Sequence, residues 1–133
     1  MPTSTEHNKW IVQQYVEGFN RGDMEALPKL FTSDVQIQGV LGFGGLDVAI
    51  PVWTELHSAF GIQLDIVAMI AERDVVAVRY TERGTFRAAF RGKEPTGKSY
   101  ELVAMEWFEF KEGLIHRRWG ARDSASQARQ LEM

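Results

Sequence analysis

Residues Ser99 to Asp123 constrain the fold most, because they read as one long β-hairpin whose inner face mixes apolar and charged side chains. Its tip is Phe110-Lys111-Glu112-Gly113-Leu114, where Gly113 supplies the positive φ of a three-residue loop. With Phe110 opposite Leu114, the register sets Phe108 against His116, Glu106 against Arg118 and Ala104 against Gly120. Side chains alternate along a strand, so Leu102, Ala104, Glu106, Phe108 and Phe110 share one face. Val103, Met105, Trp107, Ile115 and Trp119 take the other face, so this strand pair calls for cover on both sides. One helical layer supplies only one of the two covers. A slip of one residue would exchange the faces. The most informative feature is Glu106, a carboxylate among apolar neighbours and across from a guanidinium.

The rest of the chain supplies the helical layer. Thr3 and Glu6 fit a capping box, and a helix then runs to about Asn20 with Trp10, Ile11, Tyr15 and Phe19 as its apolar stripe. Gly22 ends it, and Asp23 can cap a short second helix that Pro28 keeps brief or kinked. Val35 to Val40 alternates as a short strand. The glycine-rich Gly39–Gly45 matches neither the dinucleotide pattern nor the lysine-bearing phosphate loop, and reads as a turn into a third helix. Asp47 can cap that helix, which tolerates Pro51 near its first turn and ends at Phe60-Gly61, with Trp53 and His57 four residues apart on one side. Ile62 to Ala71 and Asp74 to Phe90 are rich in β-branched and aromatic residues and read as strands, Arg91 to Lys98 as a loop. The tail from Ser124 is polar and weakly helical. Helices first and antiparallel strands afterwards give an α+β domain over residues 1–133, with helices packed on one face of a curved sheet.

Composition excludes several functions. A net charge of −3 gives no electrostatic case for nucleic acid or an anionic membrane. With no cysteine, thiolate catalysis, disulfides and cysteine-based metal sites are excluded. The three histidines lack ligand spacing, so no metal site is expected, and no Gly-x-Ser-x-Gly elbow supports a serine hydrolase. The N-terminus carries no signal-peptide pattern and no apolar run is long enough to span a bilayer, so the expected location is the cytoplasm.

Several segments, in order and approximate spacing, carry a family resemblance over roughly Tyr15 to Leu131. They are Phe19-Asn20-Arg21-Gly22-Asp23, Gly84-Thr85, Gly92-Lys93-Glu94-Pro95-Thr96-Gly97-Lys98, Glu112-Gly113-Leu114-Ile115, Trp119, Asp123 and Gln130-Leu131. Together they resemble the SnoaL-like polyketide cyclases. The resemblance implies a nuclear-transport-factor-two-like cone, a curved antiparallel sheet around N-terminal helices with a deep apolar pocket, usually dimeric. It implies ring closure of polyketide esters by aldol chemistry without metal or cofactor. The family's acid/base aspartate falls at Gly120, its assisting histidine at Glu106, and its frequent histidine after Gly-Thr at Phe86. Those cyclase residues therefore do not carry over.

The candidate catalytic residues are Glu106, Arg118 and His116. Glu106 on an apolar wall would have its charged form disfavoured by desolvation and favoured by Arg118, a balance suited to proton transfer. Arg118 would stabilise an enolate or bind an ester oxygen, and His116 would be a second acid/base. The structural alternative is an ion pair bridging two strands. Tyr15, Trp53, His57, Phe86 and Phe108 are candidates to line a pocket for a hydrophobic ring, or else ordinary core. The expected function is a cofactor-independent acid/base enzyme on a hydrophobic small molecule. The alternatives are a non-catalytic binding or interaction domain, and hydration or epoxide opening, which wants a second carboxylate that the sequence does not place. Homodimerisation is expected through Val103, Met105, Trp107, Ile115 and Trp119.

Overall fold

A computed structural model describes residues 4–39 and 41–133. Helix α1, Ser4–Arg21, is followed by two 3₁₀ turns, Met24–Ala26 and Pro28–Leu30. Strands β1 (Phe31–Gln38) and β2 (Phe43–Gly44) precede helix α2 (Leu46–Phe60). Then come β3 (Gln63–Glu72), β4 (Val75–Thr85), β5 (Ser99–Lys111), β6 (Leu114–Arg122) and helix α3 (Ser124–Leu131). The strands form one curved sheet in the order β2-β1-β6-β5-β4-β3. Pairing is antiparallel except that β1 runs parallel to β6, a departure from the all-antiparallel expectation.

Helices α1 and α2 cover the concave face. Ile11, Val12, Tyr15 and Phe19 of α1 meet Trp53, Leu56 and Phe60 of α2 over Val76, Val78, Tyr80 and Phe108 of the sheet, all of them buried. Trp10 is not part of this stripe; it is 52% exposed, because its position points away from the sheet. Gly45 rather than Asp47 caps α2, and Asp47 adds its charge to the first turn. The Asp23 side chain makes no capping bond. The proposed Thr3 cap and the end of the first strand at Val40 lie outside the described residues. The tail is a firm helix: Asp123 accepts from the Ser126 amide as its cap, and Leu131 is fully buried.

The hairpin register differs from expectation in two places, whose effects on the faces cancel while the pairing shifts by two residues. Glu112 and Gly113 both take positive φ, 52° and 80°, so the loop has two residues and Lys111 faces Leu114. That change alone would swap the faces. A bulge then inserts His116, so that Phe110 pairs with Ile115 and Glu109 with Arg117. Beyond it Phe108 pairs with Arg118, Glu106 with Gly120 and Ala104 with Arg122. Glu106 and Arg118 therefore keep the expected face but stand diagonally, not directly opposite. Ile115, between turn and bulge, turns inward and is fully buried instead of joining the outer face. Val103, Met105, Trp107 and Trp119 do face outward, and each is 40 to 55% exposed. The second cover that the hairpin pattern calls for is not supplied by this chain's own helices.

Candidate functional site

The cavity lies between α1, α2 and the concave face of the sheet, with a volume of about 100 Å³. Its walls are mainly apolar, with Phe19, Ile37, Leu41, Val52, Leu56 and Leu64 among them. Polar groups enter from three adjacent strands: Tyr80 and Glu82 on β4, Glu106 on β5, Arg118 and Arg122 on β6. Two-residue periodicity puts Tyr80, Glu82 and Glu106 in phase with the apolar inward positions of their strands, whereas Arg118 and Arg122 are in phase with each other and reach the inner face beyond the bulge at His116.

Glu106 is buried, and its Oε2 accepts from Arg118 Nη2 and from the Tyr15 hydroxyl at 3.1 Å. Its Oε1 is buried with no hydrogen-bond partner among the described residues, and so is Arg118 Nε. Arg118 lies 5.8 Å from the Trp53 ring centre and also donates to the Gln38 carbonyl at 3.4 Å. Its guanidinium occupies the space beside Gly120, where a Cβ would come within 2.8 Å of Arg118 Nη2. Tyr80 is buried, and its hydroxyl too has no partner among the described residues. Burial and the neighbouring Tyr15 hold it well above the ordinary phenol value of 10.0, against the pull of Arg118. Burial likewise raises Tyr15. Both hydroxyls are proton donors at any physiological pH.

A second pair stands beside the first, and the sequence reading missed it. Glu82 accepts from Arg122 Nε at 3.0 Å and Nη2 at 2.5 Å, and from the Tyr100 hydroxyl at 2.5 Å. Burial disfavours the Arg122 cation, but the hydrogen bonds and charge of Glu82 outweigh it and leave Arg122 above its ordinary value. The missing signal was in the sequence: Glu82 is in phase with Val76, Val78 and Tyr80, as Glu106 is with Leu102, Ala104 and Phe108.

The structure thus brings together Glu106, Arg118, Tyr15 and Trp53. It separates the other candidates from the cavity. His116, displaced by the bulge, turns to β1, where its Nδ1 lies 3.1 Å from Thr32 Oγ1 and 3.4 Å from Asp34. A hydrogen bond from Thr32 is the main cause that holds the Asp34 carboxyl below the ordinary range. His57 packs behind Gly22, where a Cβ would meet its ring at 2.7 Å. Phe108 is core beneath the cavity, edge-on to Tyr15 at 5.5 Å, and Phe86 packs on Phe60 at 5.2 Å at the far end of the sheet. Among the described residues no group of three or more histidines or carboxylates is placed to hold a metal, and no helix is long and apolar enough to cross a membrane.

The family model of the SnoaL-like polyketide cyclases matches residues 9–131. The chain belongs to this family. Solved structures agree on the fold. A proposed polyketide cyclase from Xanthomonas campestris superposes with a TM-score of 0.88 at 23% identity, over 97% of this chain and 99% of the other. IdmH, a proposed polyketide cyclase from Streptomyces antibioticus, gives 0.85 at 24% identity, over 95% and 99%. AclR, a proposed hydroxylase from Streptomyces galilaeus, gives 0.87 at 22% identity, over 96% and 97%. No curated protein matches the chain in sequence. Within this SnoaL-like fold, the place that resemblance assigns to the acid/base aspartate is Gly120, and Arg118 fills the space a side chain there would need.

Proposed function

We propose that this SnoaL-like protein is a cofactor-independent acid/base enzyme acting on a hydrophobic, ring-forming or cyclic small molecule. Glu106 takes a proton from a carbon next to a carbonyl, and the electron pair of the broken C–H bond passes to the carbonyl oxygen. Arg118 stabilises the resulting oxyanion. One observation carries this reading: Glu106, in the wall of an apolar cavity, is anchored through Oε2 by two donors, while its buried Oε1 has no partner among the described residues. An anchored carboxylate with a free oxygen is oriented for proton transfer. The test is Glu106→Gln assayed with candidate carbonyl substrates. Loss of turnover with ligand binding intact supports the reading, and undiminished turnover refutes it.

Hydration or epoxide opening is the second reading, favoured by the Glu82 carboxylate in the same cavity wall. It ranks lower because both oxygens of Glu82 are already engaged. A non-catalytic binding role requires the same cavity but not Glu106, so the Glu106→Gln assay separates it as well. We further propose that the exposed apolar strip of Val103, Met105, Trp107 and Trp119 pairs with a second copy of the chain. Ile115, fully buried inside, takes no part.

A further inference from the structure

We infer that the Tyr80 hydroxyl, together with Arg118 Nε, is the donor pair that receives the ligand's oxygen, and that the ligand is an uncharged molecule with an acceptor oxygen next to an acidic hydrogen. This rests on the reading of Glu106 as the base and goes further by naming the oxygen's partners and the ligand class. Three polar atoms of the cavity-lining residues are buried without partners among the described residues: the Tyr80 hydroxyl, Arg118 Nε and Glu106 Oε1. Two can donate, and the third, as a carboxylate oxygen, can only accept. Native proteins rarely leave such groups unpaired, so the trio describes in negative what fits among them. The complement is an oxygen acceptor facing the two donors and a proton facing the acceptor.

Position agrees with that division. Tyr80 pairs with Ala104, so on the inner face it neighbours Glu106, two residues further along β5. Arg118 stands on the far side of Glu106, on β6. Charge restricts the ligand further. Arg118 is matched by Glu106 and Arg122 by Glu82, so among the described lining residues no surplus cation remains to hold a free carboxylate or phosphate. When the proton moves to Glu106 Oε1, that carboxylate becomes neutral. The negative charge then resides on the ligand oxygen, where Arg118 and the Tyr80 hydroxyl meet it. Tyr80 stays protonated throughout, since burial opposes its ionisation.

The probe is para-nitrophenol, whose anion absorbs separately from the neutral form. On binding, its O–H bond breaks, the proton goes to Glu106 Oε1 and the electron pair stays on the phenol oxygen. The wild-type protein is expected to bind it and to develop the anion band at a pH below the probe's own pKa. Tyr80→Phe should weaken binding roughly tenfold or more, the value of a hydrogen bond to a charged oxygen. Without the probe, Tyr80→Phe should keep or raise the melting temperature, because it deletes an unpartnered hydroxyl. Unchanged affinity and band in Tyr80→Phe, or a lower melting temperature without the probe, overturns the role of Tyr80. Failure of the wild type to bind the probe overturns the ligand class. Glu106→Gln is the separate arm: if it forms the anion band as the wild type does, the base assignment falls, whatever Tyr80→Phe shows.

Discussion

Two glutamate–arginine pairs stand side by side in one cavity wall and differ in completeness. Glu82 has both oxygens bonded, to Arg122 and to the Tyr100 hydroxyl. Glu106 has one oxygen bonded twice, and among the described residues its other oxygen and Nε of its partner Arg118 have no hydrogen-bond partner. The residue types are the same, yet among the described residues only the second pair has a buried donor and a buried acceptor without partners. Pairing a buried carboxylate with an arginine is therefore not in itself a sign of chemistry; an unfilled valence in that pair is. On the proposed function, the Glu82 pair is the structural one and the Glu106 pair the reactive one.

The contrast predicts opposite phenotypes. Glu106→Gln should reduce turnover by about 10²- to 10⁴-fold, the range for loss of a general base, while circular dichroism shows the fold retained. Arg122→Ala should leave Glu82 as an uncompensated buried charge and cost about 3–5 kcal/mol in denaturant unfolding. If Arg122→Ala is as stable as the wild type, Glu82 is not the structural member, and the comparison reverses.

The tyrosines sharpen it through pH. All three in the chain, Tyr15, Tyr80 and Tyr100, have burial as the main cause of a native pKa above the ordinary 10.0. Above pH 10 the unfolded chain loses these protons while the native one keeps them. Stability that is constant below that pH should then fall as pH rises toward the raised values. Tyrosinate absorbance should stay absent above pH 10 and appear together with unfolding; an early, reversible phase in the folded protein would show an accessible tyrosine. The smallest effect on the cavity is expected from outside it. Trp107→Glu should convert a dimer to a monomer in light scattering without changing turnover more than a few-fold, and a monomeric wild type would overturn the pairing of outer faces.

Much of this arrangement was legible in the sequence. The α+β order and the hairpin follow from period-two alternation and turn residues, while the shared face of Glu106 and Arg118 matches the expectation only because the shorter turn and the bulge offset one another. The bulge at His116 was not legible, because nothing local marks an inserted residue when the flanking pattern Ile115-His116-Arg117-Arg118 is mixed. Its consequences are specific: Ile115 moved inward, and His116 left the candidate site for Thr32 and Asp34. Glu82 was legible from its phase on β4 but was passed over, since its partner Arg122 lies forty residues away and only the sheet brings them together. Phe86 and Phe108 show the limit of residue type as a guide. An aromatic on an inward face can as readily be floor as wall, and only the packing of Tyr15 and Phe60 over them decides it.

The most direct measurement is hydrogen–deuterium exchange at the α-carbon of β-tetralone in heavy water, a small cyclic ketone that needs nothing but a base and an oxyanion partner. The wild-type protein should speed exchange above the buffer rate, Glu106→Gln should bring it back to that rate, and Glu82→Gln, if folded, should retain the acceleration. Equal acceleration by wild type and Glu106→Gln, or loss confined to Glu82→Gln, would contradict the assignment of the incomplete pair as the one that moves the proton.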